Sequence, residues 1–322
     1  MRIPSHPVRI VRARHLPHFL LILLSLSTEA GCKGTAAFKG HVSQMVNGQT
    51  EEQLTLHPAN DFSAVWDARG DRIAFVSDRN GFWDIWAMNR DGTDQLPLTH
   101  DRGQATSPSW SPDGRALILS SDRTSPTRLW PDLWILDILK DHLEQVTKTP
   151  SIKEFLPSWR PDGKQVAFLS MDMNAPPSWR IVILDLESRQ SHEIAGEHIL
   201  FSRLTWRHDG QEIAFISDGT GRPELWIMDQ DGGHGRPLTH DGADKEHPCW
   251  CPNGKWIAFA SQRGGSWDIW IIHPDGTGLQ RLTTSPSMDT QPDCSPDGRS
   301  LAFTSDRAGN QDIWIIRMSG GL

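Results

Sequence analysis

Residues 295–306 read SPDGRSLAFTSD, and residues 111–122 read SPDGRALILSSD. The same succession of turn, apolar run and second turn occurs at four further places. The six turn cores are DARGDRIAF (67–75), SPDGRALIL (111–119), RPDGKQVAF (160–168), RHDGQEIAF (207–215), CPNGKWIAF (251–259) and SPDGRSLAF (295–303). Their shared glycines are separated by 44, 49, 47, 44 and 44 residues. A repeat in the mid-forties is typical of a β-propeller with one blade per repeat.

Each repeat is predicted to form four strands. The first strand ends at Trp66, Trp110, Trp159, Trp206, Trp250 and, in the sixth copy, Cys294. The Pro-Asp-Gly that follows favours a tight turn, because Pro presets φ and Gly accepts a positive φ. An unbroken apolar run then indicates a strand covered on both faces. Because these residues occur in several copies, we expect them to build the fold and not to catalyse a reaction.

The two ends of the chain are complementary. The sixth repeat stops without the Leu-Thr strand that closes other repeats, whereas an orphan run at 52–56, EQLTL, carries it. Pairing this run with the last repeat would remove an open sheet edge. The sequence therefore predicts an all-β, six-bladed β-propeller over residues 52–322, closed by an N-terminal strand, with residues 33–51 as a linker.

The N-terminus has the pattern of an export signal. Residues 1–18 contain four arginines and no acid, residues 19–26 read FLLILLSL, and small residues follow. This pattern predicts a signal peptide over residues 1–32. Gly31-Cys32 also resembles a bacterial lipoprotein cleavage site, which makes Cys32 a lipidation candidate. Glu29 stands where that site has an apolar residue, so an ordinary signal peptide with a chance cysteine is the alternative.

Composition and motifs favour a protein without catalysis. A net charge of −8 with a pI near 5.9 is not the footprint of a nucleic-acid-binding protein. The chain has no Gly-x-Ser-x-Gly elbow and no phosphate-binding Gly-rich loop. Its histidines show no metal-ligand spacing. We expect no catalytic residues, no metal and no cofactor.

Three cysteines lie at repeat positions. Cys249 and Cys251 replace Ser109 and Ser111 of the second repeat, and Cys294 replaces a Trp. Residues i and i+2 share one face of a strand, so a bridge between the first two would be strained. We expect small buried thiols, and export leaves a bridge to Cys294 open.

The candidate contacts for a partner are side chains that vary on the repeated frame. Three residues before each Trp position the chain has Ser63, Ser107, Leu156, Arg203, His247 and Gln291. Variation on a fixed frame is where binding specificity tends to reside. We therefore nominate Arg203, Glu246, His247 and Gln291 as partner-binding residues. The alternative is a solvated rim.

The repeats resemble the PD40, or WD40-like, repeat of the TolB-like β-propeller family. The resemblance rests on PSWSPDG (108–114), SDR (121–123), DLW (132–134) and their counterparts in other copies. It implies a periplasmic or secreted scaffold for protein–protein interaction in the bacterial envelope. The implied partner is a peptidoglycan-associated lipoprotein or another envelope protein, with membrane contact only through a lipid on Cys32. About twenty residues separate Cys32 from the first strand, which leaves no room for the α/β domain of TolB.

Two other functions stay open. The first is a propeller-type enzyme, a lyase or lactonase with a metal in the channel. A structure would reveal it by several histidines and carboxylates within coordination distance. The second is a carbohydrate-binding module that uses tryptophans outside the repeated columns, namely Trp83, Trp130, Trp179 and Trp267.

Overall fold

The computed structural model describes residues 43–46, 49–100, 103–125, 130–318 and 321–322. The predicted signal peptide and Cys32 lie outside these residues. Every regular element within them is a β-strand, so the all-β prediction is confirmed. No helix in these ranges is long and apolar enough to cross a membrane. The chain separates into two units, residues 1–39 and residues 40–322. The fold described below is that of the second unit.

The strands follow the repeats, which we number as units one to six. Two strands precede them, β1 (Ser43–Val46) and β2 (Gln49–Gln53). Unit one holds β3 (Asp61–Trp66), β4 (Arg72–Ser77), β5 (Asp84–Asn89) and β6 (Leu96–Pro97). Unit two holds β7 (Ala105–Trp110), β8 (Ala116–Ser121), β9 (Asp132–Asp137) and β10 (His142–Gln145). Unit three holds β11 (Ile152–Trp159), β12 (Gln165–Asp172), β13 (Trp179–Asp185) and β14 (Ser191–Ile199).

The last three units continue the series. Unit four holds β15 (Thr205–Trp206), β16 (Glu212–Ser217), β17 (Glu224–Asp229) and β18 (Arg236–Pro237). Unit five holds β19 (Lys245–Trp250), β20 (Ile257–Ser261), β21 (Asp268–Ile272) and β22 (Gln280–Arg281). Unit six holds β23 (Asp289–Cys294), β24 (Ser300–Ser305) and β25 (Asp312–Arg317).

The strands pair as antiparallel meanders. Units one, two and five are separate four-stranded sheets, whereas units three and four share one sheet of eight strands. The two units join where Ile199, at the end of β14, pairs with Ser217 of β16. At nine residues β14 is long enough to reach the neighbouring unit. The first strands of the units, here called the inner strands, contact one another in the closed cycle β3–β7–β11–β15–β19–β23–β3. The sheets therefore have a propeller-like arrangement.

The N-terminal strands join the sheet of unit six, in the order β1-β2-β25-β24-β23. Residues Thr50 to Gln53 of β2 pair with Arg317 to Trp314 of β25. Both β1 and the start of β2 fall inside the stretch 33–51 that was predicted to be a linker. The paired region therefore begins before residue 52.

The repeated tryptophans and arginines connect strands and units. The indole N–H of Trp110 donates a hydrogen bond of 3.2 Å to the carbonyl of Val65 in the preceding inner strand. In the Ser-Asp-Arg turn, Arg79 stacks 4.5 Å from the ring of Trp86 and pairs with the buried Asp61 at 2.6 Å. Stacking and ion pairing of this kind explain why both residue types are repeated, without a catalytic role for either.

The glycines of the first turn have the backbone that the sequence predicts. The six of them (Gly70, Gly114, Gly163, Gly210, Gly254 and Gly298) have φ between 66° and 74°. This left-handed conformation is unfavourable for residues with a Cβ. At Gly298 a Cβ would also lie 2.6 Å from the carbonyl oxygen of Leu322, so glycine is required there for space as well.

Candidate functional site

A β-bulge interrupts five of the six inner strands at the same position. In β3 the pairing with β4 shifts register between Phe62 and Val65, and equivalent shifts occur in β7, β11, β19 and β23. The bulged residues have φ between 52° and 56°, and they are Ser63, Ser107, Leu156, His247 and Gln291. A left-handed backbone is uncommon outside glycine, and bulges re-aim side chains near functional sites.

The bulged residues converge on one cavity, which we call the first cavity. Its empty volume is about 330 Å³, including the part open to solvent. All six positions found three residues before the Trp column line it, with Arg203 contributed by unit four. Of the four nominated residues, Arg203, His247 and Gln291 line the first cavity. Glu246 is adjacent to His247 in β19 and is not part of the lining.

Arg203 is held by an acid from another unit. Its Nη2 lies 2.7 Å from Oδ1 of Asp293, and its Nη1 donates to the carbonyl of Pro292 at 3.3 Å. Burial, the largest single effect, would lower the pKa of Arg203, but the charge of Asp293, the neighbouring Cys249 and the hydrogen bond with Asp293 together outweigh burial and raise it. The second oxygen of Asp293 accepts the backbone N–H of Trp66 at 2.8 Å. Arg203 is therefore a fixed, paired cation and not a free one.

Burial keeps His247 neutral. Desolvation, followed by the positive charge of Arg203, lowers the pKa of His247 to about 3. Its Nδ1 is buried, lies 3.5 Å from Oε2 of Glu246 and has no hydrogen-bond partner among the described residues. Because the imidazole is uncharged at neutral pH, this contact is not an ion pair. Desolvation, together with the charge of Asp244, raises the pKa of Glu246 to about 7.

Gln291 links unit six to unit one. Its Oε1 accepts the backbone N–H of Ser63 at 2.9 Å and the hydroxyl of Thr304 at 2.9 Å. The backbone of His247 is anchored in the same way, since its N–H donates to Oγ of Ser202 at 2.7 Å. The lining thus combines neutral polar side chains, apolar side chains and the paired cation Arg203 on a braced frame. Such a lining can form hydrogen bonds with a polar ligand.

The structure reveals one residue that sequence reasoning missed. Asp293 occupies the position before the Trp column, where the other units have Val65, Ser109, Ser158, Thr205 and Cys249. A charged residue in a column of uncharged ones is a signal that could have identified it.

The sequence favoured buried thiols and left a bridge to Cys294 open, and the structure shows that bridge. Cys251 and Cys294 form a disulfide with Cα atoms 5.3 Å apart, so the prediction of thiols was wrong for these two residues. The pairing is possible because Cys294 stands in the Trp column, which packs against the preceding unit. Cys249 is a buried thiol, and burial, followed by the charge of Asp293, raises its pKa to about 12.

The tryptophans considered for carbohydrate binding differ in how far their rings are buried. Trp267 is only 6% exposed, so it cannot present its ring to a ligand. Trp83 is half-buried with its ring 5.7 Å from that of Phe62. Trp179 is half-buried in a cluster with Phe155 and Phe201. Across the described part of the chain, no three His, Cys, Asp or Glu side chains are grouped to hold a metal.

Comparison with known proteins relates the chain to TolB β-propeller domains. The family model described as TolB beta propeller domain, PD40, matches residues 125–260 and 243–322. The Tol-Pal system protein TolB of Anaeromyxobacter dehalogenans is 29% identical over 179 residues, which are 56% of this chain and 29% of that protein. The aligned stretches thus span about a third of the first two curated relatives, 35% and 29% of their lengths.

Solved structures show the same fold. TolB from Acinetobacter baumannii superposes with a TM-score of 0.67 at 21% identity, covering 78% of this chain and 65% of that one. Oligogalacturonate lyase from Vibrio parahaemolyticus superposes with a TM-score of 0.62 at 14% identity, covering 86% and 96%. Since one of these relatives is an enzyme and similarity is low, the likeness concerns the fold alone.

Proposed function

The chain belongs to the PD40 family of TolB β-propeller domains, and we propose that it is an exported, non-catalytic scaffold for protein–protein interaction in a bacterial cell envelope. Its partner is an envelope protein of the Tol–Pal type, such as a peptidoglycan-associated lipoprotein. The first cavity is the docking site, with Arg203, His247 and Gln291 of its lining and the adjacent Glu246 as contacts. The observation that carries the proposal is the convergence of six side chains, of five different types, on one cavity of a repeating frame.

The frame itself is proposed to be a six-bladed propeller closed by β2. In unit one, Thr99 accepts the N–H of Ile85 at 3.0 Å and donates to Asp84 at 2.7 Å. At the other end of the ring, Thr55 accepts the N–H of Ile313 at 2.9 Å and donates to Asp312 at 3.1 Å. Thr55 thus repeats in unit six the bonds that a fourth strand makes in unit one, which supports the closure.

Export to the periplasm or beyond is supported by the disulfide. Cys251 and Cys294 are both buried, and disulfides persist in oxidising compartments. This agrees with the signal peptide that the sequence predicts over residues 1–32. The candidate lipid attachment at Cys32 would tether the propeller to a membrane, and mass spectrometry of the mature N-terminus would detect it.

The state of His247 supports binding in preference to catalysis. A general acid or base acts best when its pKa lies near the working pH, and His247 is far below that range. Arg203 is committed to Asp293, so it braces the lining. Both groups suit recognition by hydrogen bonds and shape.

A direct binding measurement tests the function. The full exported chain would be captured from a periplasmic extract, and its affinity for a purified peptidoglycan-associated lipoprotein would be measured by calorimetry. We expect His247→Asn to weaken binding at least about tenfold, the effect of losing a central contact. His192→Asn is the matched control, since His192 is exposed on β14. Lack of binding to envelope lipoproteins, or equal affinity of both variants, would overturn the proposal.

A further inference from the structure

A second cavity opens at the other end of the inner strands. It lies around the carboxyl ends of β3, β7, β11 and β15, whereas the first cavity lies nearer their bulges. Its empty volume is about 590 Å³, including the part open to solvent. Of the proposed partner contacts, only Arg203 also lines this second cavity.

The innermost polar groups of the second cavity are a cation and an anion side by side. Arg203 and Asp293 both line it, with side chains 22% and 11% exposed. A guanidinium has five N–H donors and a carboxylate about four acceptor positions. The described contacts of the pair leave capacity on both groups. A donor next to an acceptor complements two adjacent hydroxyl groups, since each hydroxyl both donates and accepts.

The walls add hydroxyl groups and apolar surface. Ser109, Ser158 and Thr205 line the second cavity at equivalent positions of three inner strands. Oγ of Ser109 accepts the backbone N–H of Trp159 at 3.1 Å and keeps its own proton to donate. The prolines Pro112 and Pro161 contribute apolar surface. A sugar ring likewise combines apolar C–H groups on its faces with hydroxyl groups at its edge.

The charges around the opening balance. Arg203 is neutralised by Asp293. Near the rim, Arg72 lies 3.6 Å from Asp67 and stacks on Trp110, while Arg160 lies 3.5 Å from Asp162 and stacks on Trp206. Since each cation has an acid beside it, the second cavity favours a neutral ligand over an anion or a cation.

We propose that the second cavity is a binding site for a neutral sugar ring. The Arg203–Asp293 pair forms hydrogen bonds with two adjacent ring hydroxyls, and Ser158 and Thr205 form hydrogen bonds with hydroxyls further out. The site differs from the partner-binding one, because it lies around the carboxyl ends of the inner strands and shares only Arg203 with the proposed partner contacts.

The test uses the full chain and variants that leave Arg203 in place, because Arg203 lines both cavities. Methyl glycosides of glucose, galactose, mannose and N-acetylglucosamine would be titrated at up to about 10 mM and followed by saturation-transfer NMR, a range suited to millimolar affinity. We expect at least one glycoside to bind. Thr205→Val should raise its Kd about fivefold, the cost of one hydrogen bond. Thr205→Ser, which keeps the hydroxyl, should restore binding.

Ser63→Ala is the matched control, because it removes a hydroxyl from the first cavity only. It should leave glycoside affinity unchanged. The proposal is overturned if none of the four glycosides binds, if Thr205→Val binds as tightly as the unaltered chain, or if Ser63→Ala weakens binding equally. Tighter binding of acetate or of an amine than of any glycoside at the same cavity would also contradict it.

Discussion

Arg203 and Asp293 are 90 residues apart in sequence, yet Nη2 of the first lies 2.7 Å from Oδ1 of the second. The pair connects unit four to unit six, and the second oxygen of Asp293 reaches Trp66 in unit one. One carboxylate therefore braces three inner strands around the first cavity. Because these contacts link residues that are far apart along the chain, we expect the pair to oppose separation of the inner strands.

Removing that carboxylate should weaken the fold. Asp293→Asn keeps an oxygen for the N–H of Trp66 but leaves Arg203 without an opposing charge. Because the pair is partly exposed, we expect a loss of about 1–3 kcal/mol in the free energy of unfolding, less than for a fully buried pair. Urea unfolding measures it.

Asp113→Asn provides the control, because the amide keeps an oxygen for the hydrogen bonds from Ser111 and from the N–H of Arg115. It removes only the charge that faces Arg115, in a contact whose side chains are 61% and 72% exposed. For Asp113→Asn we expect the free energy of unfolding to change by less than about 0.5 kcal/mol. Equal losses of unfolding free energy in the two variants would show that the Arg203–Asp293 pair stabilises the fold no more than an exposed contact does.

The proposed closure of the ring by β2 makes a second prediction. Thr55→Val removes the hydroxyl that accepts from Ile313 and donates to Asp312. We expect a loss of about 1–2 kcal/mol, together with faster amide exchange in β2, because two hydrogen bonds disappear. Thr99→Val removes the equivalent bonds inside unit one and is the matched variant. If Thr55→Val leaves both stability and exchange in β2 unaltered, β2 does not close the ring in solution.

The sequence predicted the repeated parts of this structure well. Turn glycines such as Gly114 and tryptophans such as Trp110 act through contacts within one unit or with the next, so a repeated pattern reports them. The column of Ser63 and His247 was nominated because its residues vary at a fixed offset from the Trp, and the structure adds that a bulge recurs at that offset.

What the sequence could not predict depends on distances across units. The pairing of Arg203 with Asp293 and the joining of units three and four through Ile199 and Ser217 are set by how neighbouring sheets pack. No local pattern encodes that packing. The burial that lowers the pKa of His247 likewise arises only when several inner strands surround it.

Stability should depend on pH through Asp312. Desolvation is the main cause that raises its pKa to about 7, and nearby Asp61 adds to it, while hydrogen bonds from Thr55 and Gln53 oppose the rise. The folded state therefore binds a proton that the unfolded state, with a pKa near 3.9, has released. Stability from this group is fully present below about pH 4 and is lost as pH rises to about 7.

Asp312→Asn tests this dependence, since the amide cannot ionise. Unfolding measured from pH 4 to 8 should show a smaller decline than in the unaltered chain. Asp113 gives the opposite sign, because a hydrogen bond from Ser111 lowers its pKa, so its contribution is lost as pH falls. An identical pH profile in Asp312→Asn and the unaltered chain would contradict the raised pKa.

The disulfide makes the last prediction. Cys251 and Cys294 connect units five and six across 43 residues, and a native disulfide of this kind contributes about 2–4 kcal/mol to the free energy of unfolding. Dithiothreitol should therefore destabilise the unaltered chain by this amount and leave Cys294→Ser unaffected. The serine variant retains only Cys249 and Cys251 in this region, which are too close along the chain to pair without strain. Cys249→Ser keeps the disulfide and should respond to the reductant as the unaltered chain does. If reduction shifts Cys294→Ser as strongly as the unaltered chain, the stabilisation does not come from this bridge.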